Sequence, residues 1–265
     1  MRLHVLLPAL ASAIVLCAQT DDGIPDLIPE VRGNIAEMPS IERALEHAGY
    51  TSTEISLLAA LRDPRAQVRS MAAVELAKKH DTDAIPRMLD AALAEKAPGT
   101  RIWIADALAT LGSEKGATVL LGMCKPRDGV DPLHEASLRL IAAGDVLDLG
   151  RAACQEDVID VLRFLGRLGT PSAPEMEGGL VVLALSIADR HSRAFSHNSE
   201  EIRDLASRSL LDSRGYVRMA ASNTLGVFGD AASALTLERA ASAERDDTVR
   251  TRMLANLKLL QGSDR

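Results

Sequence analysis

Val68-Arg69-Ser70-Met71-Ala72-Ala73-Val74-Glu75-Leu76 is a phrase to which the chain returns. It comes back as Thr100-Arg101 through Leu108, Val217-Arg218 through Leu225 and Val249-Arg250 through Leu257. From Arg69 to Arg101, and again from Arg218 to Arg250, the step is 32 residues, and every one of these arginines leads by the same interval into a leucine. A fixed period of this length belongs to stacked two-helix units, none of which can bury its apolar face alone. The expected fold is therefore all-α, an α-solenoid of about six to seven helical hairpins.

Outward from the phrase, Glu54 to Arg62 reads as the first helix of a hairpin, Asp63-Pro64 as its turn and Arg65 to Lys79 as its second helix. A proline in the first turn of a helix gives up no hydrogen bond. Thr51 and Glu54 stand at capping-box spacing ahead of this hairpin, and Val68, Ala72, Ala73, Leu76 and Ala77 share one helical face. Further hairpins are expected over 85–111, 114–143, 145–168, 202–228 and 232–260, with Ser40 capping a short leading helix from Ile41 to His47. Thr170 to Gly179 holds prolines and glycines and reads as a loop; Leu180 to Ala188 reads as a helix, and Asp189 to Glu201 as a second irregular loop or a helix end. The solenoid is expected over 40–265, with an irregular middle near 169–201 between two regular blocks.

Residues 1–18 read as an export signal, with Arg2 ahead of an apolar run from Val5 to Cys17 that is too short to span a bilayer. Cleavage after Ala18 is one outcome. Acylation at Cys17 is the other, because Ile14-Val15-Leu16-Cys17 is similar to a bacterial lipoprotein box, although Leu16 stands where a small residue is expected. Residues 19–39, with Pro25, Pro29 and Pro39, form an extended lead-in. A periplasmic or secreted bacterial protein is expected, with no membrane contact beyond a lipid at Cys17. Export permits a disulfide, but Cys124 and Cys154 lie about one repeat apart, as if at like positions on stacked helices. Helix axes lie roughly 8–10 Å apart and a bridge wants Cα atoms within about 7 Å, so two separate buried thiols are expected.

The 265 residues, 47% apolar and 25% charged, suffice for a folded core, and the net charge of −7 argues against nucleic acid, which binds by neutralising phosphates. The aromatic inventory is Tyr50, Trp103, Phe164, Phe195, Tyr216 and Phe228, which offers no platform for stacking bases. No glycine-flanked serine elbow, reactive-cysteine signature or phosphate-cradling loop is present. His191, His197 and either Glu200 or Glu201 include zinc-ligand types, but their spacing fits no zinc signature and reads as a surface loop. No catalytic residue, cofactor or metal site is expected.

Leu57-Leu58 through Leu61, Asp63-Pro64, Val68-Arg69, Ala72-Ala73 and Leu76, echoed by Leu210-Leu211, Asp212, Val217-Arg218, Ala220-Ala221 and Leu225-Gly226, resemble HEAT repeats. The nearest kind is the short bacterial one related to phycobilisome-lyase-type repeats, over roughly 54–260 and weakest between 145 and 200. The resemblance implies a ladder between repeats, made by the turn aspartate and the helix-B arginine. Asp63 with Arg69 and Asp212 with Arg218 stand at those positions, and Arg101 and Arg250 continue the series. It also implies a non-enzymatic scaffold or adaptor that receives another protein or peptide on a concave helix-B surface. Glu75, Lys78, Lys79, Asp106, Ser222, Asn223, Arg252 and Asn256 are the polar positions expected off the packed face. A structural subunit of an envelope complex is the alternative. A bilin-lyase-like enzyme fits less well, since its work would be cytoplasmic.

Overall fold

The computed structural model describes residues 41–127, 129–167 and 174–263. The export signal, the lead-in, the Cys17 lipidation site and the Ser40 cap lie outside the described residues. Within them the chain is helical, with no strand. A short helix, α1 (Ile41–His47), is followed by six hairpins: α2 (Glu54–Ala60) with α3 (Ala66–Lys78), α4 (Ile85–Ala94) with α5 (Pro98–Thr110), α6 (Glu114–Met123) with α7 (Pro132–Asp148), α8 (Gln155–Arg167) with α9 (Pro174–Arg190), α10 (Ser199–Ser209) with α11 (Gly215–Phe228), and α12 (Ala231–Ala243) with α13 (Asp247–Ser263). The first member of each pair is here its A helix, the second its B helix.

Contacts divide the chain into two units, one ending at Cys154 and the other beginning at Gln155. In the first, α5 packs between α3 and α7; in the second, α11 packs between α9 and α13. Each core is built where small residues let B helices approach. Ala72 and Ala73 of α3 are fully buried in one cluster with Leu57, Leu76, Met88 and Leu108, and in the second unit Ala221 of α11, Ile202, Val217, Leu225 and Leu237 are fully buried as well. Apolar burial of this kind is the main favourable term in folding.

The helix ends follow local chemistry. Asp131 caps α7, its Oδ1 accepting from the backbone N–H of Leu133 and of His134 at 3.0 Å each, and Pro132 takes the first helical position. Asp230 caps α12 through Ser233 N–H at 2.9 Å. Gly112, at φ 86°, closes α5 with a left-handed residue, its N–H on Ala109 and that of Ser113 on Leu108. His80, at φ 54°, closes α3 in the same way without a glycine. The capping box expected of Thr51 and Glu54 does not form. Thr51 instead exchanges a hydroxyl hydrogen bond with Thr53, the residue that precedes α2.

Three expectations are corrected. The loop read over Thr170 to Gly179 is helical from Pro174 onward, and only 168–173 fall outside the described residues. Pro174 sits where its missing N–H costs nothing, and Gly178 makes room rather than a turn: a Cβ there would meet the Arg214 guanidinium and stand 2.7 Å from Tyr216 Oη. The irregular segment read over 189–201 shrinks to a short connection, since α9 runs through Arg190 and a 3-10 turn at Ser196–Asn198 leads into α10. Finally, Cys124 and Cys154 are bridged, with Cα atoms 6.1 Å apart. They do not occupy like positions in mid-helix. Cys124 is the C-cap of α6 and Cys154 lies in the 3-10 turn before α8, and chain ends approach more closely than helix axes do.

The bridge closes a separation of 30 residues, for which the chain-entropy model gives about 3–4 kcal/mol. Replacing both cysteines by alanine is expected to lower the unfolding free energy in denaturant by that order, and a non-reducing digest of the native protein should yield the linked peptide. Two thiols alkylated in the folded chain would contradict the bridge.

Candidate functional site

The charged groups at the turns form one arrangement that occurs twice. In the first unit, Arg65 folds back on Asp63: its Nε and its backbone N–H donate to Oδ1, and its Nη2 to Oδ2, all at 2.8 Å. Four residues on, Arg69 donates through Nη1 to the carbonyls of Asp63 and Pro64 at 2.7 and 2.9 Å. Its Nε and Nη2 grip Glu95, the turn acid of the next hairpin, at 2.6 and 2.8 Å. In the second unit, Arg214 holds Asp212 at 2.8 and 2.7 Å, and Arg218 takes the carbonyls of Asp212 and Ser213 at 2.9 Å. Arg218 also grips Glu244 at 2.6 and 2.8 Å. Asp212, Arg214, Arg218 and Glu244 each stand 149 residues after Asp63, Arg65, Arg69 and Glu95.

Such bidentate, charge-assisted contacts are the strong kind. The Arg65 guanidinium holds Asp63 well below the usual carboxylate range, and hydrogen bonds from Arg218 bring Glu244 to about 2. Burial works against ionisation of Glu95, but Arg69 and the N–H of Ala97 outweigh it and leave its pKa lowered. These charges are committed to holding hairpins together.

The ladder expected from Asp63 with Arg69 and Asp212 with Arg218 is thereby corrected in its partners. Arg69 and Arg218 reach only the backbone oxygens of those aspartates, whose carboxylates belong to Arg65 and Arg214; the inter-repeat carboxylates are Glu95 and Glu244. A signal for this is present in the chain, because an acid precedes the ladder arginine by six residues in all four phrases. Arg101 donates through Nε to the carbonyl of Glu95 at 3.0 Å, and Arg250 through Nη1 to that of Glu244 at 3.0 Å. A further rung is Arg139, which donates to the carbonyl of Cys124 at 2.9 Å and precedes Ala142, Ala143 and Val146 as Arg69 precedes Ala72, Ala73 and Leu76. The longer loop before α7 breaks the period and hides it.

The polar positions predicted to face a partner divide. Lys78 and Lys79 are exposed at the end of α3, and Lys78 lies 3.5 Å from half-buried Glu75. Asp106 is half-buried on α5, and burial together with the charge of Asp148 pushes it up to about 6. Arg252 is exposed and, with Met219, Asp247, Thr248, Thr251 and Ala255, lines a depression of about 550 Å³ between α11 and α13. Ser222 and Asn256, in contrast, are 0% and 6% exposed. Asn256 donates to Ser222 Oγ at 2.8 Å and to Asn223 Oδ1 at 3.1 Å, which joins α13 to α11. They are corrected to interhelical bonds, because a buried polar group needs a partner and finds it across the packed face. Three half-buried apolar residues were not read from the sequence as surface: Met71, Trp103 and Ile141, each two positions after a ladder arginine on successive B helices.

Among the described residues no three His, Cys, Asp or Glu side chains converge as a metal would require. Glu201 pairs with Arg163 of α8 at 2.8 Å, and His197 is exposed. No helix is long and apolar enough to cross a membrane among those described. Residues 55–137 match the family of HEAT repeats, from α2 into α7. The match is to HEAT repeats as such and does not select the phycobilisome-lyase-type kind. No curated protein matches the chain.

One acid of the second unit supplies a pH test. Asp189 of α9 is half-buried; burial pushes its pKa up to about 7, and the hydroxyl of Thr224 offsets this only in part. The native carboxyl therefore keeps a proton that the unfolded chain loses near 3.8, so its contribution to stability falls as pH rises from about 4 to about 7 and is level above. Asp189→Asn is expected to raise the melting temperature more at pH 8 than at pH 5. A gain that is the same at both pH values would contradict this assignment.

Proposed function

Taking this chain as a HEAT-repeat protein, we propose that it is a non-catalytic scaffold that works outside the cytoplasm of a bacterium and receives another protein on the B-helix faces of its hairpins. HEAT repeats in general mediate protein–protein interaction. The observation that carries the reading is the division of polar groups just described. Turn charges are spent inside the ladder, while Lys78 and Lys79 at the end of α3 and Arg252 on α13 are exposed and Asp106 on α5 is half-buried. Lys78, Lys79 and Arg252 carry long side chains of the kind that a solvated face also holds; the depression that Arg252 lines supports reading its surroundings as a contact surface.

Work outside the cytoplasm draws support from the bridge between Cys124 and Cys154, since a buried structural disulfide persists where thiols are oxidised. It agrees with the reading of residues 1–18 as an export signal.

A second reading, a structural subunit that makes its contacts through the edge of the stack, has its own observation. Val227, Leu235 and Leu259 are each more than half exposed near the end of the last hairpins, where Val227, Leu235 and Leu260 line a depression of about 310 Å³. Exposed apolar groups gathered in one place mark contact surfaces.

A photo-crosslinking side chain placed at Lys78 or Arg252, and in a separate protein at Leu235, distinguishes the two. Crosslinks to one envelope protein from Lys78 and Arg252 are expected, and these should disappear in a Lys79→Ala, Asp106→Asn, Thr251→Ala variant that melts within a few degrees of the parent. Crosslinks from Leu235 alone would replace the B-face reading by the edge reading.

A further inference from the structure

Between α11 and α13, Met219, Asp247, Thr248, Thr251, Arg252 and Ala255 surround the depression of about 550 Å³. Its cation is Arg252. Arg65, Arg69, Arg214, Arg218 and Arg250 each hold a carboxylate or a carbonyl, but Arg252 makes no hydrogen bond or ion pair with any of the described residues. The helix supplies the reason. The surface neighbours of Arg252 three and four positions away are Thr248, Val249, Ala255 and Asn256, none of them an acid, and α11 carries no acid at all. Asp247 is the one acid of α13, and Arg250 of the same helix already donates to its Oδ1.

The other groups around the depression narrow what it can take. The Thr251 hydroxyl is used within the helix, where it donates to the carbonyl of Asp247 at 2.7 Å. Met219 and Ala255 offer apolar surface, the first half-buried and adaptable in shape. The donors left for an incoming group are the Arg252 guanidinium and the Thr248 hydroxyl, four residues apart and so adjacent on the helix surface. A carboxylate accepts from both, and the charge-assisted bond to the guanidinium is the strong kind. The depression is larger than a carboxyl group alone fills, which leaves room for an apolar side chain against Met219 and Ala255.

We propose that this depression docks a segment of a partner protein that presents an aspartate or glutamate beside an apolar side chain. The carboxylate takes the N–H groups of Arg252 and the hydroxyl of Thr248, and the apolar neighbour covers Met219 and Ala255. The proposal rests on the B-face reading above and adds to it the chemistry of the partner. Charge complementarity selects this occupant: a basic segment would bring like charge to Arg252, and a neutral one would cover the guanidinium without supplying its counter-charge. The first unit makes the contrast, since the residues 149 positions before Arg252 and Ala255 are Trp103 and Asp106, and neither is a cation.

Three dye-labelled peptides of one length, in which Leu and Gly alternate with Glu, with Lys or with Ser, are titrated with the full mature protein and followed by fluorescence anisotropy. The Glu peptide is expected to bind saturably, and more weakly as salt rises. Arg252→Gln and Ala255→Asp are each expected to weaken it about tenfold, the first by removing the cation and the second by giving it a partner three residues away, while Ala255→Asn binds as the parent does. Both positions are exposed, so all three variants should melt within a few degrees of the parent. Equal binding of the Lys or Ser peptide, undiminished binding by Arg252→Gln, or no binding of any of the three would overturn the proposal. Equal losses in Ala255→Asn and Ala255→Asp would assign the effect to bulk rather than charge and overturn it as well. A dimer in light scattering that Arg252→Gln abolishes would assign the depression to a second copy and overturn it. Crosslinking from Lys78, in the other unit, continues to judge the B-face reading separately.

Discussion

A guanidinium that closes its own turn and holds the turn acid of the next hairpin is the constraint on which each stack rests. Arg69 and Arg218 each bond two carbonyls behind them and one carboxylate ahead, with distances that agree between the units to 0.2 Å. Stacking hairpins would otherwise leave the carbonyls of one turn and the acid of the next without partners in a place that water reaches poorly. The side chains of Glu95 and Glu244 are only 3% and 4% exposed, and a buried carboxylate is tolerable only when paired and hydrogen-bonded. The planar fork of arginine satisfies both needs with one side chain, which lysine would not.

With the turns held in this way, the B helices pack through alanines, and their opposite sides are left for side chains that the stack does not require. Function is accordingly sought where the two units differ rather than where they agree. Trp103 against Arg252, and Asp106 against Ala255, are differences imposed on one scaffold. The bridge between Cys124 and Cys154 belongs to the first unit alone and ties the end of α6 to the turn that follows α7. The step from Arg101 to Arg139 in the first unit is 38 residues, whereas Arg218 and Arg250 in the second keep the regular 32.

Most of the fold was legible because a period of 32 residues belongs to stacked helical hairpins, and a residue such as Gly112 marks a helix end locally. What stayed hidden depends on three-dimensional proximity. Gly178 and Pro174 look like a turn in one dimension, and only the approach of Arg214 and Tyr216 shows that the glycine makes room. Ser222 and Asn256 look like a polar surface until α13 brings one against the other. The ladder was placed on the correct arginines but on the wrong carboxylates, since Glu95 and Glu244 lie 26 residues ahead of them, and the acid that precedes each arginine by six residues shows its inter-repeat role only when the hairpins stack.

The central claim is that the arginine and the glutamate of neighbouring hairpins act as one unit in holding the stack, and a double-mutant cycle on Arg69 and Glu95 tests it most directly. Arg69→Met alone strands a buried carboxylate and Glu95→Met alone a half-buried guanidinium, and removing one partner of such a pair typically costs about 3–5 kcal/mol. The double variant is predicted to unfold at a free energy well above that expected from adding the two losses, with a coupling of about 1.5 kcal/mol or more, and the same cycle on Arg218 and Glu244 to give a similar value. Losses that simply add, within about 0.5 kcal/mol in both cycles, would contradict the account.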